Sequence, residues 1–160
     1  MLANFSWVLP GLLAGAALPG NGGSGLAEDL QELRRLGIRC LVSLSDAAER
    51  FGPACVRAGL VWEYFPIPEF DIPEDAGAFH ELVERLLARL SAGQAVGVHC
   101  YAGVGRTGLL LACLLGRYHR LGAAETIRRL RLLRPALETA EQERFVHRYL
   151  ARIAARGFLL

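Results

Sequence analysis

Ala95-Val-Gly-Val-His-Cys-Tyr-Ala-Gly-Val-Gly-Arg-Thr-Gly108 is the stretch on which the reading of this chain turns. Ala95 to Val98 is a short apolar run of the kind that makes a buried central strand. It leads straight into His99 and Cys100, after which Gly103, Gly105 and Gly108 mark a tight loop. Thr107 to Arg120 follows, apolar on most sides, and is read as a buried helix. Strand, glycine loop and buried helix in that order make half of an α/β unit. Open α/β sheets bind their ligands at this strand end.

Outward from that unit the chain alternates strand and helix patterns. Leu26, Leu30, Leu33 and Leu36 form a helical stripe within Ser24 to Leu36 that stops at Gly37. Arg39 to Leu44 reads as a strand, 46–58 as a helix containing Pro53, and Val61 to Ile67 as another strand. A proline-punctuated loop, Pro66 to Pro73, leads to an amphipathic helix over Ala76 to Leu90 that Gly93 ends. Two further helices are predicted over 123–133 and 139–156, the second opened by the capping box Thr139-x-x-Gln142 after Pro135. The expectation is a single α/β domain over residues 1–160. Its central, mostly parallel sheet of roughly four to five strands is flanked by helices, with a helical C-terminal third.

Composition narrows the chemistry. The chain has 160 residues, 52% hydrophobic and 21% charged, a balance suited to a globular domain. All 18 basic residues are arginine, so no catalytic lysine, Schiff base or lysine-bearing phosphate loop is available. A net charge of +2 is too small for a general nucleic-acid binder. The four cysteines, Cys40, Cys55, Cys100 and Cys113, form no C-x-x-C pair, so neither a zinc ribbon nor a redox dithiol is expected. Reduced thiols and a cytoplasmic setting are. Met1 to Ala27 carries no charged side chain, yet Pro10, Gly11, Gly15 and Pro19 break it and no arginine precedes Arg34. Short strands, Phe5 to Leu9 and Leu12 to Ala14, suit it better than a signal peptide or membrane span. Nothing is assigned to the apolar tail Gly157-Phe-Leu-Leu160.

The loop after Cys100 is built for an anion. Glycines let successive backbone N–H groups of Tyr101, Ala102, Gly103, Val104 and Gly105 turn inward, and the helix start adds its positive end. Arg106 offers a planar fork for two phosphate oxygens. The same field would lower the Cys100 thiol from its usual value of about 8.5 and ready it for attack. Thr107 is expected to donate a hydrogen bond to the sulfur, and His99 to orient the loop rather than act as a base. Three other readings compete. Gly103-x-Gly105-x-x-Gly108 matches a dinucleotide fingerprint, but helix follows helix and Glu125 sits on an amphipathic one, where a strand end is needed. An inert core cysteine needs no such glycines and no Arg-Thr after it. A rhodanese-type sulfur transferase does not call for the Arg-Thr-Gly exit.

His99-Cys100-x5-Arg106-Thr107-Gly108 resembles the signature loop of cysteine-dependent protein tyrosine phosphatases. The wider chain resembles small atypical dual-specificity phosphatases of the VHZ type. The likeness runs through Asn4 to Gly11, Leu13-Ala-Gly15, Ala17-Leu-Pro19, Leu41-Val-Ser-Leu44, Arg129-Leu-Arg-x-x-Arg-Pro135 and Glu138-Thr-x-Glu-Gln-Glu143. The resemblance implies a cysteinyl-phosphate intermediate and a carboxylic acid on a mobile loop that protonates the leaving group. In Ile67-Pro-Glu-Phe-Asp-Ile-Pro73 the acid falls on Glu69, where the family has aspartate, with Asp71 the alternate. Glu138 matches a position near the signature loop, with a role in placing the hydrolytic water, or else serves as a carboxylate at a helix N-terminus. The arginines at 128, 129, 131 and 134 attract anions or form a solvated helix face.

Expected, then, is a phosphatase with no metal and no cofactor. Phosphotyrosine on proteins is its first substrate, with phosphoserine and phosphothreonine after it. The loop would also take phosphate or vanadate, and neither nucleic acid nor membrane is a partner. A loop interior without a basic residue disfavours a highly charged inositol ring. The alternatives are a catalytically weak or dead phosphoprotein-binding module, and a phosphatase of non-protein phosphate esters.

Overall fold

The strand that carries Cys100 is the middle one of the sheet. The computed structural model describes residues 1–157, so of the apolar tail Phe158, Leu159 and Leu160 lie outside the described residues. Five strands pair in the order β1-β2-β5-β3-β4: β1 Ser6–Leu9, β2 Leu13–Ala16, β3 Ile38–Ser43, β4 Val61–Tyr64 and β5 Ala95–His99. β1 and β2 are antiparallel, and β2, β5, β3 and β4 run parallel to one another. His99 at the end of β5 is flanked by Ala16 on β2 and Ser43 on β3. Cys100 therefore leaves the sheet at its centre, between two neighbouring strand ends.

Helices cover both faces. α1 (Leu26–Arg35) and α2 (Gly52–Ala58) lie over one side. There Ala14, Ile38 and Leu41 meet Leu30, Leu33 and Cys55. α3 (Ala76–Ser91), α4 (Gly105–His119), α5 (Ala123–Leu133) and α6 (Ala140–Ala155) lie over the other. Leu13, Cys40, Val42, Val96 and Val98 feed that larger core. Alternation along β3, with Cys40 and Val42 to one side and Leu41 to the other, is the period-2 pattern of a strand buried on both faces. α4 is buried continuously from Gly105 to Gly116, as an all-round apolar helix requires. A Cβ on Gly116 would lie 2.6 Å from Leu150, so this glycine lets α4 and α6 approach closely.

Three boundaries depart from the sequence reading. Residues 46–58 are not one helix but a 3-10 turn, Asp46–Ala48, followed by α2. Pro53 lacks an N–H and fits only the first turn of a helix, so the chain restarts at Gly52. β4 ends at Tyr64, short of Ile67, because Pro66 has no N–H to donate; even so, Phe65 and Ile67 still donate to the Ser43 and Leu44 carbonyls, 2.9 Å each. α4 begins two residues before Thr107, at Gly105.

Candidate active site

Cys100 sits at the floor of a cavity of about 210 Å³ whose walls include Glu69, Phe70, Tyr101, Arg106 and Glu138. The sulfur accepts a hydrogen bond from the Gly103 amide at 3.3 Å. The loop around it is held from outside. The Tyr101 carbonyl accepts from Leu18 N at 2.9 Å, that of Ala102 from Asn4 Nδ2 at 3.0 Å, and that of Gly103 from Arg134 Nη2 at 2.7 Å. In a trans peptide the carbonyl and the following N–H point opposite ways. Carbonyls fastened outward therefore turn the N–H groups of Ala102, Gly103 and Val104 toward the sulfur side, the nest expected from the glycines. Gly103 has φ +79°, and a Cβ there would fall 2.5 Å from the Ala16 carbonyl oxygen, so the position admits only glycine.

His99 is fully buried behind the loop, and burial lowers its pKa from 6.5 to about 4, so it is neutral at physiological pH. Its Nδ1 faces the Cys100 carbonyl at 2.9 Å, and a carbonyl can only accept, so Nδ1 carries the proton. Nε2 is then an acceptor, 2.5 Å from Ser43 Oγ, which in turn accepts from Trp62 Nε1 at 2.9 Å. This chain runs from β4 through β3 to the backbone of the cysteine and fits His99 as an orienting group.

Arg106 is buried and donates through Nη1 to the Ile67 carbonyl at 3.0 Å, so it reaches the loop that carries the candidate acids. Of those acids, Glu69 lines the cysteine cavity and an adjoining one of about 680 Å³ that includes Asp46 and Glu74. Asp71 lines neither. Its Oδ1 is taken up by the Ile72 amide at 2.8 Å, and its carbonyl accepts from Gln142 Nε2 at 3.1 Å. Glu69, and not Asp71, therefore shares a cavity with Cys100. Glu138 accepts from the Gly105 amide at 3.1 Å and so closes the far side of the loop.

One expectation is corrected. Thr107 Oγ1 is buried and has no hydrogen-bond partner, so the anticipated bond to Cys100 is not made. Because α4 starts at Gly105, Thr107 lies inside the first helical turn rather than at its mouth. Of the four arginines after Glu125, three lie on the solvated α5 face and one does not. Arg128 and Arg129 pair with Glu125 and Arg131 with Glu143, while Arg134 is buried. Arg134 precedes Pro135, which disfavours the helical conformation. Its backbone is extended (φ −164°, ψ 159°), which takes it off the α5 face, and its guanidinium reaches Ser6 Oγ, Asn4 O and Gly103 O.

Arg134, Asn4 and Gln142 are the site-supporting residues that sequence reasoning missed. Gln142 was legible as a capping box, which it forms with Thr139. Its side chain also accepts from Glu138 N at 2.9 Å while donating to the acid loop, which the box does not announce. Burial pushes the Cys40 and Cys55 thiols up to about 11 and that of Cys113 higher still, so these three stay protonated and inert. No cluster of three His, Cys, Asp or Glu side chains suited to a metal ion occurs among the described residues.

A strand-end cysteine in an inward-facing amide nest, with a buried arginine at its side, defines the class of cysteine-dependent protein tyrosine phosphatases. Within that class the chain belongs to the family described as polymorphic toxin system, DSP-PTPase phosphatase (Tc-R-P), whose model matches residues 14–119. Among relatives, human dual specificity protein phosphatase CDC14C is 46% identical over 56 residues, covering 35% of this chain and 12% of its own length. Rat cyclin-dependent kinase inhibitor 3 is 33% identical over 100 residues, 61% of this chain and 47% of that one. The chain therefore matches less than half the length of either. In fold it is similar to Tk-PTP in its active form, with a TM-score of 0.82 and 25% identity over 96% of this chain and 100% of that one. PTPMT1 gives a TM-score of 0.80 at 20% identity, over 96% and 98% of the two chains, a likeness of fold alone.

Proposed function

We propose that this chain hydrolyses phosphate monoesters on phosphoproteins through a cysteinyl-phosphate intermediate, with phosphotyrosine preferred and phosphoserine and phosphothreonine accepted. The observation that carries the reading is the convergence of Cys100 Sγ, the inward amides, Arg106 and Glu69 on one cavity. Phosphate oxygens would lie among the N–H groups and the Arg106 guanidinium, which leaves the phosphorus in line with the sulfur. As the S–P bond forms and the P–O bond breaks, Glu69 gives its proton to the departing oxygen. Water then attacks the phosphorus, Glu69 takes the water proton, and the thiolate leaves. Glu138, which lines the same cavity, would orient that water. The narrower assignment to the VHZ type and a cytoplasmic setting, where the four free cysteines would stay reduced, belong to the same proposal.

A non-protein substrate is the second reading. One structural neighbour, PTPMT1, is described in complex with PI(5)P, at 19% identity. Against a polyanionic substrate here stand a loop interior without a basic residue and a neighbouring cavity that contains Asp46, Glu69 and Glu74. A binding module without catalysis is the third.

The test is stopped-flow hydrolysis of p-nitrophenyl phosphate in EDTA, with Cys100→Ser alongside. Turnover abolished by Cys100→Ser, with a burst of nitrophenol, supports the cysteinyl-phosphate route. Vanadate binding without turnover in the parent chain would overturn it in favour of a binding module.

A further inference from the structure

On the other side of the acid loop from the cysteine lies a third cavity, of about 300 Å³, between the start of α3 and α6. Arg148, Arg152 and Arg156 line one wall, spaced four residues apart and so aligned along one face of the helix. Ile72, Phe145 and Ile153 supply an apolar floor, and no aspartate or glutamate is among its lining residues. Arg35, Arg85, Arg117, Arg128, Arg129 and Arg131 are each ion-paired with a glutamate; the three cavity arginines, like several others on the surface, have no such partner among the described residues. His80, the remaining basic group in the cavity, is already engaged by Tyr149 Oη at 2.9 Å and lies 3.7 Å from Glu84, so it adds little free charge.

Three guanidinium groups with no carboxylate partner among the described residues, beside a recessed apolar floor, are complementary to a segment that carries both carboxylates and an apolar side chain. We infer that this cavity is a docking groove for an acidic, apolar-anchored peptide segment of the protein substrate. The inference rests on the proposed function for the identity of that protein, but the groove's own binding does not require turnover. Its position suits a segment continuous with the phosphorylated residue. Glu69 and Phe70 line the cysteine cavity while Ile72 and Pro73 line the groove. Three residues of chain span at most about 11 Å, so a few residues of extended peptide bridge the two sites. A lipid surface fits less well, because Phe145 and Ile153 are 7% and 2% exposed and sit behind the arginines rather than projecting beyond them.

The test is fluorescence anisotropy of a labelled, unphosphorylated peptide of alternating Glu and Leu, titrated with the full chain and with Arg148→Glu/Arg152→Glu. A Lys/Leu peptide of the same length and vesicles of 7:3 phosphatidylcholine to phosphatidylserine are run in parallel. The expected result is binding of the Glu/Leu peptide that weakens at least tenfold in the double variant and falls steeply with added salt. The double variant is expected to gain affinity for the Lys/Leu peptide, which shows that it is folded, and to hydrolyse p-nitrophenyl phosphate at the parent rate. Equal binding of the Glu/Leu peptide by parent and variant, no binding by either, or stronger binding of vesicles than of peptide by the parent would each overturn the inference. Loss of p-nitrophenyl phosphate turnover in the parent would instead count against the phosphatase reading alone.

Discussion

Arg106 Nη1 lies 3.0 Å from the carbonyl oxygen of Ile67, so the arginine of the phosphate loop is also a tether of the acid loop. A lysine there keeps the charge but presents no planar fork, and cannot serve both loops at once. Arg106→Lys is expected to lower kcat/KM for p-nitrophenyl phosphate by about 10²–10³ and to weaken vanadate binding. Steady-state kinetics with vanadate inhibition check this. A loss of less than tenfold in both would separate Arg106 from the reaction.

Glu69 and Asp71 are told apart by leaving group. Phenyl phosphate needs a proton at its leaving oxygen far more than p-nitrophenyl phosphate does. Glu69→Gln is expected to reduce kcat on phenyl phosphate by about 10²–10³ and much less on the nitrophenyl ester. Asp71→Asn, whose carboxylate is turned to the Ile72 amide, is expected to leave both within about threefold. The opposite pattern would assign the acid to Asp71.

Arg134 predicts a stability effect without touching substrate. Replacing it by methionine removes the donor to Asn4 O and Ser6 Oγ and the shorter of two donors to Gly103 O, which keeps only Asn4 Nδ2 at 3.3 Å. Arg134→Met is expected to destabilise the fold by about 2–4 kcal/mol and, by loosening the hold on the Gly103 carbonyl, to weaken vanadate binding. Arg128→Met on the α5 surface should stay within about 0.5 kcal/mol. Urea titration of both variants supplies the comparison.

His99 predicts a pH dependence. Its folded pKa of about 4 lies below the unfolded value of 6.5, so between these the unfolded chain binds more protons. Its contribution is therefore full above pH 6.5 and is lost as pH falls toward 4, amounting to about 3 kcal/mol over that window. Urea midpoints of the parent measured across it should fall more steeply with acid than those of His99→Asn. Parallel slopes would show that His99 does not carry the effect.

The sequence by itself determined the α/β class, the strand that carries Cys100, and the tight glycine loop from His99 to Gly108 that the proposed function takes as its anion site. Each is local: periodicity marks strands and helices over a few residues, and glycines spaced after a strand leave few other conformations open. Thr139-x-x-Gln142 was legible for the same reason, since both halves of a capping box lie within one turn. Only the tertiary structure decided that Glu69 and not Asp71 lines the cysteine cavity, what Arg134 does, and that Thr107 makes no bond to Cys100. Glu69 and Asp71 are equivalent in charge and two residues apart, and the Asp71 carbonyl is fixed by Gln142, 71 positions away along the chain. Arg134 looked like its neighbours until Pro135 took it off the helix toward Gly103 and the N-terminal Asn4 and Ser6. Such contacts join residues that no local pattern relates, because they depend on where β1, the acid loop and α6 come to rest around β5.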